Sequence, residues 1–170
     1  MTTPVIVMPP NKLRVAVMGK RKSGKSYLLH QLESYYIETN GSSTNRRTIS
    51  LRNLYDKNDQ LSNLFTKLLT NYKNFDAVFV DDVKYSWECD ILKDFNFTIV
   101  YVHTPWILRF QRIHSPDYTE HELLQHVNWM VSKPELKEME RVNAMKKYYQ
   151  MVEYVETENM QDFVRRVIAL

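Results

Sequence analysis

The residues with the clearest chemical meaning are Gly19-Lys20-Arg21-Lys22-Ser23-Gly24-Lys25-Ser26, which satisfy the pattern G-x-x-x-x-G-K-[ST] in full. In such a loop the backbone N–H groups converge on a cavity and cradle phosphate oxygens. The start of the following helix adds partial positive charge. Lys25 is placed to reach β- and γ-phosphates, and the Ser26 hydroxyl to ligate Mg²⁺. The loop and the adjoining Tyr27 are therefore the candidate site for ATP with its magnesium. Glycine usage supports this. The chain has three glycines, and two of them, Gly19 and Gly24, flank this loop. A chain so sparing of glycine places them where backbone angles demand it.

A phosphate loop specifies what is bound, not what is done with it, so other residues must define the chemistry. Asp81-Asp82 follows the apolar run Ala77-Val78-Phe79-Val80. A carboxylate there could hold Mg²⁺ directly or through water, or orient an acceptor hydroxyl; the alternative is a solvated pair opening a turn. Arg109 and Arg112 are three apart on a predicted helix and share a face. They could clamp a transferring phosphoryl group, or form a solvated basic face. Arg46-Arg47 lies near the expected acceptor pocket and is a candidate for acceptor binding, with solvated charge as the alternative. His121 and His126 are one residue too far apart for H-E-x-x-H, so their rings diverge on a helix and a zinc site is not expected.

The elements that must position these residues alternate regularly. Strands are predicted over 13–18, 47–51, 77–80, 97–102 and 151–155. Helices are predicted over 24–37, 58–73, 86–94, 105–114, 119–131 and 135–149, with a last one capped by Asn159. Alternation of this kind implies an α/β fold: three layers around a five-stranded parallel sheet, with a helical, lid-like insertion before the last strand. Ligands of such sheets sit beyond the carboxyl ends of the strands, where Gly19–Ser26, Asp81-Asp82 and His103 are all expected. Ser115-Pro116 interrupts the helical stretch, and about 115–140 is the expected lid. Residues 1–12 read as a flexible, Pro-rich N-terminal segment without the features of a signal peptide, and 13–170 as one domain.

Bulk properties narrow the class further. At 170 residues and 44% hydrophobic the chain can bury a substantial core, and no apolar run is long enough to span a membrane. Cys89 is the sole cysteine, so no intrachain disulfide can form and a reducing, cytoplasmic setting is expected. A net charge of +3 fits a phosphate ligand as well as it fits nucleic acid, and nucleic acid is the less favoured partner.

The chain resembles the P-loop small-molecule kinases of the nucleoside monophosphate kinase type, in particular animal phosphomevalonate kinase and the phage deoxynucleoside monophosphate kinases. Gly19 to Lys25 is similar to the loop of the former. Val80-Asp81-Asp82-Val83-Lys84 resembles the family's valine–any–aspartate–any–arginine segment, which implies that Asp82 is the family acid and that Lys84 stands where an arginine meets acceptor phosphate. Arg109-Phe110-Gln111-Arg112 resembles the arginine pair at the lid, and Tyr154 to Asn159 the family's last strand and turn. Ser26 replaces the aspartate that both relatives carry after the loop lysine, which makes the loop an ordinary Walker motif. The resemblance implies transfer of the ATP γ-phosphoryl group to a small phosphorylated acceptor. A (deoxy)nucleoside monophosphate is the first choice and phosphomevalonate the second. Lys25, Asp82, Arg109 and Arg112 would be catalytic; Lys84, Arg46 and Arg47 would face the acceptor; Ser26, Asp81 and Asp82 would face the metal. The rival classes are a nucleotide-binding module without catalysis, and a polynucleotide kinase or nucleic-acid-stimulated ATPase.

Overall fold

The computed structural model describes residues 12–20, 23–51, 61–103, 132–155 and 158–169. In chain order they form β1 (Leu13–Gly19), α1 (Lys25–Asn40), β2 (Arg46–Ser50), α2 (Leu61–Asn71), β3 (Ala77–Val83), α3 (Ser86–Asp94), β4 (Thr98–His103), α4 (Ser132–Met145), β5 (Met151–Val155) and α5 (Met160–Ile168). The strands make one sheet in the order β2-β3-β1-β4-β5. Every neighbouring pair is parallel, as alternating strands and helices require.

Both faces of the sheet are covered, which explains why β1, β3 and β4 read as continuous apolar runs rather than alternating ones. On one face Val15, Val17, Phe79, Val100 and Val102 pack under Leu28, Leu29 and Leu32 of α1 and Phe163, Val164 and Val167 of α5. On the other, Ala16, Met18, Val78, Val80, Ile99 and Tyr101 pack under Phe65 and Leu69 of α2, Cys89 and Leu92 of α3, and Val142 and Met145 of α4. Asn159 caps α5 as the sequence predicts, its side chain accepting from the Asp162 N–H at 3.1 Å.

Two differences from the sequence reading bear on the site. β3 does not stop at Val80 but runs through Asp81 and Asp82 to Val83. Its register with β1 steps from Ala16↔Val80 to Met18↔Val83, so β3 carries one extra residue, a bulge. Asp82 occupies it at φ 66°, a left-handed conformation uncommon for a non-glycine residue. The helix predicted at 135–149 instead ends at Met145. The predicted helices 105–114 and 119–131, most of the expected lid, and residues 1–11 of the expected flexible N-terminal segment lie outside the described residues. No helix among the described residues is long and apolar enough to cross a membrane.

Candidate active site

β1 and α1 fix the phosphate loop between them. Gly24 precedes α1 at φ 91°, where a side chain would be strained. Gly19 has a different reason to be glycine. A Cβ there would sit 2.7 Å from Ser23 Oγ and 3.0 Å from the Val102 carbonyl oxygen of the adjoining strand. The loop is closed by Ser23 N–H donating to the Lys20 carbonyl at 3.0 Å. Lys25 folds back over it, its ammonium donating to the Gly19 carbonyl at 3.2 Å.

The β3 bulge brings the acids to this loop and separates their tasks. Asp82 is buried, with its two carboxylate oxygens facing different lysines: Lys25 Nζ at 3.6 Å and Lys84 Nζ at 3.5 Å. Asp81 is half-buried and turns to the other side. Its Oδ2 accepts from the Ser26 hydroxyl at 2.9 Å, and its Oδ1 accepts from the Asp82 N–H at 2.8 Å. The cleft holding these groups has a volume of about 920 Å³. Its walls are the loop, the ends of β2 and β3 at Ser50 and Asp81 to Lys84, Tyr101 of β4, and Glu138 and Arg141 of α4.

Ser26 and Asp81 suit Mg²⁺ as a donor set. Both are hard oxygen ligands at the loop, and that ion usually takes one or two protein ligands, with phosphates and water completing its octahedron. Among the described residues no group of three His, Cys, Asp or Glu side chains could form an all-protein metal site. Cys89 is not a nucleophile candidate: burial and the neighbouring Glu88 push its thiol up to about 12.

The structure thus brings together Gly19, Lys20, Ser23, Gly24, Lys25, Ser26, Tyr27, Asp81, Asp82 and Lys84. Arg21, Lys22, Arg109 and Arg112 lie outside the described residues. Arg46 and Arg47 depart from expectation. They open β2 at its amino end, opposite the start of β3, whereas Ser50 at the carboxyl end reaches the cleft. At about 3.3 Å per residue, Arg46 is about 13 Å down the strand from Ser50. The Arg46 guanidinium donates to the Ser42 carbonyl at 3.2 Å, and the Arg47 guanidinium sits over the Tyr72 ring at 5.5 Å from its centre. His103 ends β4 at the predicted place, but its Nε2 meets Glu153 Oε1 of β5 at 2.8 Å and is not part of the cleft wall.

Three polar residues of the site had no local signal. Glu138 pairs with Lys20 of the loop at 2.8 Å. Arg141, one helical turn further on, donates to the Lys84 carbonyl at 3.2 Å. Glu88 is fully buried, and its Oε1 accepts the N–H groups of Lys84 and Tyr85 at 2.8 and 2.7 Å.

A parallel sheet with β3 and β4 flanking β1, a phosphate loop between β1 and α1, and acids at the end of β3 define a three-layer P-loop NTPase fold. No family model matches the chain, and no curated protein is similar to it in sequence. Solved structures are similar in shape. Kti12 from Chaetomium thermophilum, in complex with ADP-AlF3, aligns with a TM-score of 0.52 at 16% identity, over 91% of this chain and 95% of that one. The APS kinase of Mycobacterium tuberculosis aligns with a TM-score of 0.50 at 10% identity, over 94% and 97% respectively. At these identities the likeness is one of fold.

Proposed function

We propose that this protein is an ATP-dependent kinase that transfers the γ-phosphoryl group to a small phosphorylated acceptor, with a (deoxy)nucleoside monophosphate as the favoured acceptor. The observation that carries this reading is the chain Lys25–Asp82–Lys84. One buried carboxylate links the loop lysine to a second, more exposed lysine facing the same cleft. A pure nucleotide-binding module needs the loop and the metal ligands. It has no need of a second cation, across an acid from the first, where an acceptor would lie.

The roles follow from charge. Lys25 and the loop N–H groups would bind the donor phosphates, and Ser26 with Asp81 would hold Mg²⁺, which would supply positive charge to the donor phosphates. Asp82 would orient Lys25 and Lys84 between donor and acceptor, and Lys84 would bind the acceptor's anionic end. Arg109 and Arg112 are proposed to follow the charge that spreads over the equatorial oxygens in the transition state, since a guanidinium fork matches those oxygens better than an ammonium does.

The test is transfer from γ-labelled ATP–Mg²⁺ to a panel of ribo- and deoxynucleoside monophosphates and phosphomevalonate, read by product mass. Turnover of one acceptor, lost in Lys25→Ala, is the expected result. Nucleotide binding with no transfer to any acceptor would establish the non-catalytic rival. Salt-dependent oligonucleotide binding that stimulates hydrolysis would establish the nucleic-acid rival.

A further inference from the structure

Lys84 is held at both of its peptide groups. Its N–H donates to the Glu88 carboxylate at 2.8 Å, and its carbonyl accepts from the Arg141 guanidinium at 3.2 Å. Its ammonium lies 3.5 Å from Asp82. Three elements therefore converge on one residue: the end of β3, α3 through Glu88 and α4 through Arg141. The same Glu88 oxygen also accepts the Tyr85 N–H at 2.7 Å, so it caps the start of α3.

A cap alone does not call for this placement. A short polar side chain in water caps a helix at little cost, whereas Glu88 has 0% exposure, and withdrawing a carboxylate from water is costly unless hydrogen bonds replace hydration. What the buried position adds is a fixed peptide immediately after the β3 bulge. The Lys84 side chain, 47% exposed, then leaves a rigid base and points its charge toward the cleft. A lysine normally loses much rotamer freedom on binding an anion, and a held backbone with an acid partner reduces that cost in advance.

We infer that Glu88 is a positioning residue that sets Lys84 to dock a phosphate group on the acceptor. The inference rests on the reading of Lys84 as an acceptor-binding residue. Glu88 is not part of the cleft wall and would act through the peptide of Lys84, whose N–H it accepts.

The experiment is a double-mutant cycle on the full chain with inorganic phosphate as the probe. The phosphate loop is first filled with a non-hydrolysable ATP analogue and Mg²⁺, and phosphate affinity is measured by calorimetry for wild type, Lys84→Ala, Glu88→Gln and the double variant. Lys84→Ala should weaken phosphate binding by about tenfold and Glu88→Gln by about threefold, with the double variant no weaker than Lys84→Ala alone. If Glu88→Gln does not fold, Glu88→Asp, which draws the carboxylate back by one methylene, runs the same cycle. A Glu88 effect that multiplies in full with that of Lys84→Ala would show a helix cap and nothing more, and would overturn the inference. So would a Glu88 variant with wild-type affinity beside a weakened Lys84→Ala, an outcome that leaves the kinase reading intact. Phosphate affinity unchanged in Lys84→Ala, or absent in the wild type, would remove Lys84 from acceptor binding and the inference with it.

Discussion

The two ends of the sheet are both rich in cations, yet they use them in opposite ways. At the amino end the Arg14 guanidinium donates to four backbone carbonyls: Leu13 at 3.0 Å, Tyr72 at 3.3 Å, Lys73 at 3.0 Å and Phe75 at 2.8 Å. Burial pulls its pKa below the usual arginine value, with Asp76 opposing. Arg47 lies on the Tyr72 ring and Arg46 on the Ser42 carbonyl. These cations tie down the turn after α2 and the loop before β2. At the carboxyl end Lys20 and Lys84 are held by the carboxylates of Glu138 and Asp82, and Lys25 is shared between Asp82 and the Gly19 carbonyl, across an open cleft. A carbonyl bound to arginine has no competitor in the fold. A carboxylate bound to lysine can be exchanged for a phosphate of the same sign. The partner of a cation, more than its presence, separates structural charge from charge kept for a ligand.

The strongest way to break this comparison is at Lys25. Lys25→Ala should lower kcat by about 10³-fold, the upper range for one lost electrostatic contact to the reacting group. Thermal stability should hardly change, because the lysine's own partners are a carbonyl and a shared acid. Steady-state kinetics with the acceptor found by the screen would check it. Wild-type kinetics would place the carboxyl end in the same structural class as the amino end.

The acid pair sharpens the comparison within the site. Asp82→Asn removes the charge between two lysines and should cost roughly 10²-fold in kcat. Asp81→Asn keeps an oxygen for the Ser26 hydroxyl and should cost less, roughly tenfold, with its effect eased by raising Mg²⁺. Measuring both across a magnesium titration assigns the roles. A magnesium-dependent loss at Asp82 would exchange them.

Much of this site was legible because it is local. The phosphate loop is a run of eight residues whose glycines, lysine and serine each answer to one requirement of a phosphate. The parallel sheet followed from alternating strands and helices. The bulge at Asp82 was not legible, since a register step needs the neighbouring strand, and no glycine marks it. Glu138 and Arg141 were missed because they reach the site by the packing of α4 on the sheet, and Glu88, though its contacts are local, was missed because Tyr85 before α3 is not a residue type that marks a helix cap. Arg46-Arg47 opens β2 at its amino end, away from the cleft, a placement that a parallel sheet with its ligands beyond the carboxyl ends already implies.

At the amino end the expected effect is on stability, with activity untouched. Arg14→Leu leaves several carbonyls without their donor and should lower unfolding free energy by about 1–3 kcal/mol. Urea denaturation would measure it, beside kcat per folded molecule, which should be unchanged. Arg47→Ala should cost about 0.5–1 kcal/mol for its aromatic contact and leave acceptor KM within about twofold. A selective rise in acceptor KM would bring Arg47 back to the substrate.

The smallest effect belongs to Glu153, which lies between the two extremes. It is a carboxylate on β5 paired with a lysine, like Asp82, but that lysine is Lys146, its other partner is the His103 ring, and it lies outside the cleft wall. Burial raises its pKa, while the hydrogen bonds from Lys146 and His103 lower it and prevail, so the folded value lies below the ordinary glutamate value. The sign follows from linkage. A carboxylate with a depressed folded pKa stabilises the fold at every pH above its unfolded pKa, and that contribution disappears as pH falls through the folded value. With about a quarter of the side chain exposed, solvent weakens the pair, and the contribution should be no more than about 1 kcal/mol. Glu153→Gln should therefore be slightly less stable than wild type at pH 7, and the gap should close as pH falls below the ordinary glutamate value. Denaturant midpoints at several pH values would show the two curves converging on the acid side. Curves that stay parallel well below the ordinary glutamate value would mean that Glu153 is not charge-paired in the folded protein. A loss of turnover at pH 7 in Glu153→Gln would extend the functional end of the sheet beyond the cleft to the β4–β5 edge.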